Sequence, residues 1–240
     1  MGNGKILLVE DEASLQRLLK YDLEQSGFEV TAVDNGADAY EIAKQGTFEF
    51  ILLDWMLPQM TGIEVCRKLR ELGNTSYIMM LTAKSEELDM IEGLSEGADD
   101  YIRKPFSTRE VVARIKAVMR RKSMAAEKKE TQQVRGTATT EEKLHYRNIN
   151  IDTQRYEVYM DGQKVEMTLT EFELLMYMVK NQGKVLSRDH LLGSVWGYEY
   201  DGDTRTVDVY IFKLREKLEA DASKRLFKTI RGVGYMLEKE

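Results

Sequence analysis

The chain is poor in cysteine, proline and histidine, with one, two and two of each in 240 residues. A single thiol, Cys66, cannot close an internal disulfide, which fits a reducing compartment and a core-filling role. His145 and His190 lack metal-ligand spacing and read as structural. No apolar run approaches the roughly 18 residues of a membrane span, so a cytoplasmic protein without a membrane partner is expected. Met1-Gly2-Asn3-Gly4-Lys5 leads straight into a strand-like run, without the apolar core of a signal peptide. Ile6 stands where a myristoylation signal needs Ser or Thr. Gly232-Val233-Gly234 is a turn without the rest of a nucleotide fingerprint.

Positive charge is also short. The formal net charge is −6, and it is unevenly spread. Residues 1–122 carry 16 Lys and Arg against 21 Asp and Glu, whereas residues 143–240 carry 16 of each. An acidic first half and a neutral second half suggest two modules. Residues 123–142 are mostly Lys, Glu, Gln, Thr and Ala, a composition too polar to order itself, and are expected to be a flexible linker.

What is present is organised around Phe50-Ile51-Leu52-Leu53-Asp54, four apolar residues running into an aspartate, with Pro58 beyond. It reads as a buried strand of a parallel sheet with Asp54 emerging at its carboxyl end, where open α/β sheets place ligands. Further strand-like runs are Lys5–Glu10, Glu29–Val33, Tyr77–Thr82 and Asp100–Ile102, separated by segments with helical spacing. Five strands alternating with helices predict an α/β doubly wound parallel sheet. Ser107-Thr108-Arg109-Glu110 reads as a capping box opening the module's last helix.

The strand ends collect Glu10, Asp11, Asp54 and Thr82, with Lys104 after the fifth strand. Three carboxylates at one sheet edge repel one another and call for a cation. Hard oxygen ligands with room for water suit Mg²⁺, and a lone lysine suits a phosphate as a point charge.

Residues 1–122 resemble the receiver of two-component response regulators. The resemblance rests on Val9-Glu10-Asp11-Glu12, Asp54 with Met56-Leu57-Pro58 and Gly62, Thr82-Ala83, and Gly97-Ala98-Asp99-Asp100-Tyr101 through Lys104-Pro105-Phe106. It implies that Asp54 takes a phosphoryl group from a phosphohistidine on a sensor kinase. Glu10, Asp11, Asp54 and the Met56 carbonyl would hold Mg²⁺, Glu10 through water. Lys104 would pair with the phosphate, Thr82 would swing towards it, and Tyr101 would turn inward. Met56 and Lys84 would flank the water that slowly removes the group, the only turnover such a receiver performs. The Lys104-Pro105 peptide is expected to be cis.

In the second module, Tyr146–Ile151 and Arg155–Met160 read as strands, with Asp161-Gly162 turning into Gln163–Met167. Thr170-Glu171-Phe172-Glu173 reads as a capping box, followed by a helix from Ser187 and a long helix near Thr204–Leu218. A glycine-turned hairpin closes the chain. This predicts a winged helix-turn-helix. On the long helix Val207, Ile211, Leu214 and Leu218 face the core, leaving Arg205, Thr206, Val209, Tyr210, Lys213 and Lys217 as a basic, hydrogen-bonding face. Thr170 to Leu175, Arg205-Thr206-Val207-Asp208-Val209 and Arg231-Gly232-Val233-Gly234-Tyr235 resemble the effector domain of the OmpR/PhoB family. That resemblance implies promoter DNA contacts from Trp196, Arg205, Thr206, Tyr210, Lys213 and Arg231, with RNA polymerase a further partner.

The family dimerises through the helix before the fifth strand, that strand, and the helix after it. Met90 stands where relatives often carry the basic partner of an acid matching Glu110, leaving Asp100 with Arg114 and Asp99 with Arg121 as pairs across a homodimer. Phe212 occupies a position that is often basic, so it reads a thymine methyl or packs within the loop. Two other readings remain: a metal-dependent phosphohydrolase using Asp54, and a constitutive DNA-binding protein whose receiver is only a scaffold.

Overall fold

The structure is a computed structural model describing residues 4–83, 96–133, 143–197, 203–219 and 225–240, with side chains described up to Arg120 in the helix that ends at Gln133. The chain divides into two compact units, Met1–Lys116 and Ala117–Glu240. Met90, Lys84 and the Arg121 side chain lie outside the described residues.

In the first unit β1 (Lys5–Val9), β2 (Glu29–Val33), β3 (Phe50–Asp54), β4 (Tyr77–Thr82) and β5 (Asp100–Arg103) alternate with α1 (Ala13–Gln25), α2 (Gly36–Gln45) and α3 (Gly62–Glu71). The sheet is parallel throughout, ordered β2-β1-β3-β4-β5. Its order reverses between β1 and β3, where a doubly wound sheet opens a crevice at the strand carboxyl ends. β3 and β4 are buried along their whole length, because helices cover both faces of a parallel sheet. All five strand readings hold, the first and last to within one residue.

The last helix, α4 (Thr108–Gln133), runs past the expected boundary. Residues 123–133, expected as the start of a flexible linker, are helical. Ala, Lys, Glu, Gln and Met lose little on entering a helix, so a composition too polar to form a core still extends one already nucleated; residues 134–142 lie outside the described residues. At the opening, Ser107 Oγ accepts from the Arg109 amide at 3.3 Å. The reciprocal half of the expected box is replaced: Glu110 instead accepts from Arg114 at 2.7 Å.

The second unit opens with an antiparallel sheet of β6 (Lys143–Tyr146), β7 (Ile149–Asp152), β8 (Glu157–Met160) and β9 (Gln163–Val165). The run read as one strand, Tyr146–Ile151, therefore spans the end of β6, a turn at Arg147-Asn148 and most of β7. Arg147 adopts φ 51° there, and the Asn148 carbonyl accepts from Asp161 at 3.0 Å. Asp161 and Gly162, at φ 51° and 80°, make the expected tight hairpin.

Then come α5 (Leu169–Lys180), β10 (Leu186–Ser187), α6 (Arg188–Val195), α7 (Arg205–Leu218) and the hairpin β11 (Phe227–Ile230) and β12 (Gly234–Leu237). The capping box of α5 is Thr168 with Glu171, two residues earlier than expected. Glu171 closes that box and also accepts from Lys217 Nζ at 2.5 Å, so a part-buried tertiary ion pair supports the start at Thr168. β12 pairs with both β10 and β11. This close approach requires Gly234, where an added Cβ would lie 2.1 Å from the Leu186 carbonyl oxygen.

Candidate functional site

Register builds the first site. Val9 pairs with Leu53, so Glu10 and Asp54, one residue on, leave β1 and β3 side by side. Asp54 pairs with Leu81 and Thr82 with Arg103, which bring Thr82 and Lys104 to the same end. Lys104 is held there by its own amide, which donates to the Thr82 carbonyl at 2.7 Å, and it precedes a cis peptide to Pro105.

Carboxylate oxygens of Glu10, Asp11 and Asp54 all lie within 4.8 Å of one another. Lys104 Nζ donates to Asp54 Oδ2 at 2.7 Å and to Glu10 Oε1 at 2.9 Å. It also lies 2.8 Å from Glu10 Oε2, without hydrogen-bond geometry, and that buried oxygen has no donor. Burial pushes the Glu10 carboxyl up to about 7; the Lys104 hydrogen bond opposes this and the charge of Asp54 adds to it. Burial works against the Lys104 charge, but its hydrogen bonds to Asp54 and Glu10 outweigh that and raise its pKa. One ammonium therefore faces three carboxylates, and a donorless buried oxygen remains. The donor set fits a hard divalent cation. Met56 donates its amide to Asp54 Oδ1 at 3.2 Å while its side chain is exposed. Thr82 is buried, and Tyr101 is half-buried.

The expected dimer residues are mostly engaged inside the unit. Asp99 is buried and its Oδ2 accepts from Arg70 Nη2 at 2.6 Å and from the Ile78 amide at 2.9 Å. Sequence spacing could not reveal that Arg70, on α3, reaches over Gly97 to pair with Asp99; the expected partner Arg121 has its side chain outside the described residues. Arg70 also donates to the carbonyls of Gly97, Asn74 and Ser76. Arg114 pairs with Asp100 at 3.3 Å and with Glu110 at 2.7 Å, so the expected intermolecular pair is made within one chain.

In the second unit, Val207, Ile211, Leu214 and Leu218 are buried as expected. Of the expected outer face only Arg205 is exposed; Thr206, Val209, Tyr210 and Lys213 are at most 7% exposed. Part of that burial is aromatic: Trp196 packs edge-on to Tyr210 at 5.2 Å, and the Lys213 ammonium lies 5.1 Å from the Tyr210 ring centre. The Thr206 hydroxyl is buried without a partner. Arg231 is exposed in the hairpin turn. Phe212 is 56% exposed, which corrects the reading that packs it within a loop. His145 and His190 bond to Asn150 and Tyr177.

A further constellation ties the elements of this unit together. Asp208 Oδ1 accepts from Arg188 Nε and from the Tyr235 hydroxyl, both at 2.7 Å. The guanidinium groups of Arg188 and Arg215 lie 5.0 and 5.7 Å from the centre of the Tyr235 ring. Sequence motifs marked Asp208 and Tyr235 but not their convergence with Arg188 and Arg215. Burial, then the bond to Asp208, push the Tyr235 hydroxyl up to about 12, while Arg188 opposes. The folded pKa exceeds the unfolded value of about 10, so the neutral hydroxyl stabilises the fold fully below pH 10 and progressively less towards pH 12. The stability difference between the wild type and Tyr235→Phe, about 1 kcal/mol at neutral pH for the lost hydrogen bonds, is expected to vanish over that interval in denaturant titrations.

Comparison with known proteins agrees with this architecture. Residues 6–116 match the response regulator receiver domain, and residues 162–237 match the C-terminal domain of transcriptional regulatory proteins. The chain is 46% identical to the alkaline phosphatase synthesis transcriptional regulatory protein PhoP of Bacillus subtilis, over 98% of this chain and 97% of that one. It is 44% identical to the transcriptional regulatory protein SrrA of Staphylococcus aureus, over 98% and 96%. Among solved structures, a mutant of RitR superposes with a TM-score of 0.75 at 33% identity, covering 99% of this chain and all of the other. Response regulator DrrB, a Thermotoga maritima OmpR/PhoB homolog, gives 0.50 at 30% identity, covering 98% and 99%. The receiver sheet, its acidic strand ends and the winged helix thus have one common explanation: the chain belongs to the OmpR/PhoB family of DNA-binding two-component response regulators.

Proposed function

We propose that Asp54 is the phosphoacceptor and that its phosphorylation drives receiver dimerisation, setting paired winged helices on neighbouring half-sites of promoter DNA. The observation that carries this is the junction of Asp54 with Lys104, Glu10 and Asp11 at the switch point of the sheet. An Asp54 carboxylate oxygen attacks phosphorus of a kinase phosphohistidine; the new P–O bond replaces the P–N bond, and the imidazole nitrogen leaves with its electron pair. Mg²⁺, held by Glu10, Asp11, Asp54 and the Met56 carbonyl, would neutralise phosphoryl oxygens. Lys104 exchanges its bond to Asp54 for one to the phosphate. Thr82 donates a second, and Tyr101 follows inward. Hydrolysis of the phosphoaspartate is slow, so the protein is a transcription factor and not a turnover enzyme. Its setting is the cytoplasm, with RNA polymerase a partner on the promoter.

Energetics make such a switch sufficient but not generous. Two or three charge-assisted bonds of about 1.5–3 kcal/mol each approach the ~5.5 kcal/mol that moves 1:99 to 99:1. The receiver is read as residues 1–122 and the effector as 143–240. The dimer contact on this face is assigned to Asp99, Asp100, Glu110, Arg114 and Arg121.

Light scattering of the full chain with Mg²⁺ and beryllofluoride, a phosphoryl mimic, tests the switch. A monomer that doubles its mass only with the mimic is expected; an unchanged mass would remove phosphorylation-driven dimerisation of the free protein. DNA contact is proposed for Arg205, Thr206, Tyr210, Lys213, Trp196 and Arg231. If Arg231 meets a phosphate, Arg231→Ala will flatten the log–log salt dependence of binding by about one unit. An unchanged slope would take Arg231 off the phosphate backbone.

A further inference from the structure

The exposed residues of α7 are Arg205, Phe212 and Glu216. Spacings of seven and four residues put them on one stripe. A phenyl ring thus stands at the centre of the open face of the recognition helix, 56% exposed. Its neighbours one turn away are tied down inside the unit. Asp208 accepts from Arg188 and Tyr235, and Arg215 donates to the Phe227 carbonyl and the Thr229 hydroxyl, both at 2.9 Å. Neither is placed to swing out and read a base. Phe212 is therefore a rigidly framed apolar surface on an element that belongs in a groove.

We propose that Phe212 is a specificity-determining residue that reads thymine through its C5 methyl group. The inference rests on α7 entering the major groove. A phenyl ring neither donates nor accepts a conventional hydrogen bond, so it cannot read the polar edges of bases. The thymine methyl is the apolar feature that the major groove presents, and it distinguishes T·A from the other pairs. Charge points the same way. Glu216, one turn further on, repels a phosphate, so this stretch of the stripe is suited to base edges, while Arg205 at the helix start is suited to the backbone.

Each methyl buried against the ring is worth about 0.8 kcal/mol, or roughly fourfold in affinity. The experiment selects duplexes from a randomised pool with the full-length protein in Mg²⁺ and beryllofluoride. Single thymines of the enriched duplex are then replaced by deoxyuridine, which removes only the methyl. The expected result is a loss of about fourfold at one or two positions in each half-site for the wild type. In Phe212→Ala the same replacements are expected to change affinity by less than 1.5-fold, with half-site spacing and melting temperature unchanged. Equal deoxyuridine penalties in the wild type and Phe212→Ala would overturn the proposal, as would none in either. A variant that loses dimer mass while keeping thymine preference would assign the ring to a protein contact instead. Failure of the wild type to enrich any duplex would remove the groove placement of α7 itself, which is a separate outcome.

Discussion

Asp54→Asn is expected to abolish phosphoryl incorporation, from the cognate kinase or from acetyl phosphate, down to background. The amide keeps the shape of the carboxylate but has no anionic oxygen to attack phosphorus. Asp54 Oδ2 is the oxygen engaged by Lys104 at 2.7 Å, and its carboxylate lies within 4.8 Å of those of Glu10 and Asp11. The same change removes one of three anionic ligands, so Mg²⁺ affinity is expected to fall at least about tenfold, or ~1.4 kcal/mol. Radiolabelling and a Mg²⁺ titration followed by Trp55 fluorescence read the two effects separately. Label retained in the variant would place the acceptor elsewhere. Label lost with unchanged Mg²⁺ affinity would keep Asp54 as acceptor but strike it from the ligand set.

Gly62→Ala carries the largest expected cost to the fold. Gly62 begins α3 immediately behind the phosphoacceptor, and its amide donates to the Trp55 carbonyl at 2.9 Å. A Cβ there would lie 1.9 Å from the Asp54 carbonyl oxygen and 2.9 Å from its carbon. Both are backbone atoms of a buried strand and cannot turn aside as a flexible side chain would. Overpacking a core costs about 1–3 kcal/mol even where side chains can yield; against backbone at this separation at least ~3 kcal/mol is expected. For a receiver of this size that lowers the melting temperature by roughly 10 °C or more. Because the strand must shift at Asp54 itself, the beryllofluoride response is expected to disappear even well below the melting point. Thermal unfolding followed by far-ultraviolet circular dichroism checks the first effect, and mass with and without the mimic checks the second. A variant with wild-type melting and a normal response would show that α3 can slide away from β3.

Much of the architecture is legible in the residues alone. Five apolar runs alternating with helical spacing suffice for a doubly wound sheet, because periodicity and burial follow directly from side-chain chemistry. Acids, a threonine and a lysine standing at strand ends then converge whatever the loops do, since parallel strands share one carboxyl edge. That is why Glu10, Asp11, Asp54, Thr82 and Lys104 could be assembled on paper. The errors fall where a local signal competes with a distant partner. Thr170 and Glu173 have capping spacing, but Lys217 stabilises the box at Thr168 and Glu171. A polar run past Arg120 has too little apolar surface for a core, yet joins a helix that earlier residues had nucleated.

What the sequence determined by itself is the class of fold, the family and the chemistry of the acidic pocket, all of which depend on residue type at a given place along the chain. What only the tertiary structure decided is which charges are already taken. Arg70 claims Asp99 across the unit, Arg114 gathers Asp100 and Glu110 on its own surface, and Asp208 holds Arg188 and Tyr235. It also decided that Phe212 lies open. Ion pairing and exposure depend on distances of a few ångströms between residues far apart in sequence, and no periodicity encodes those.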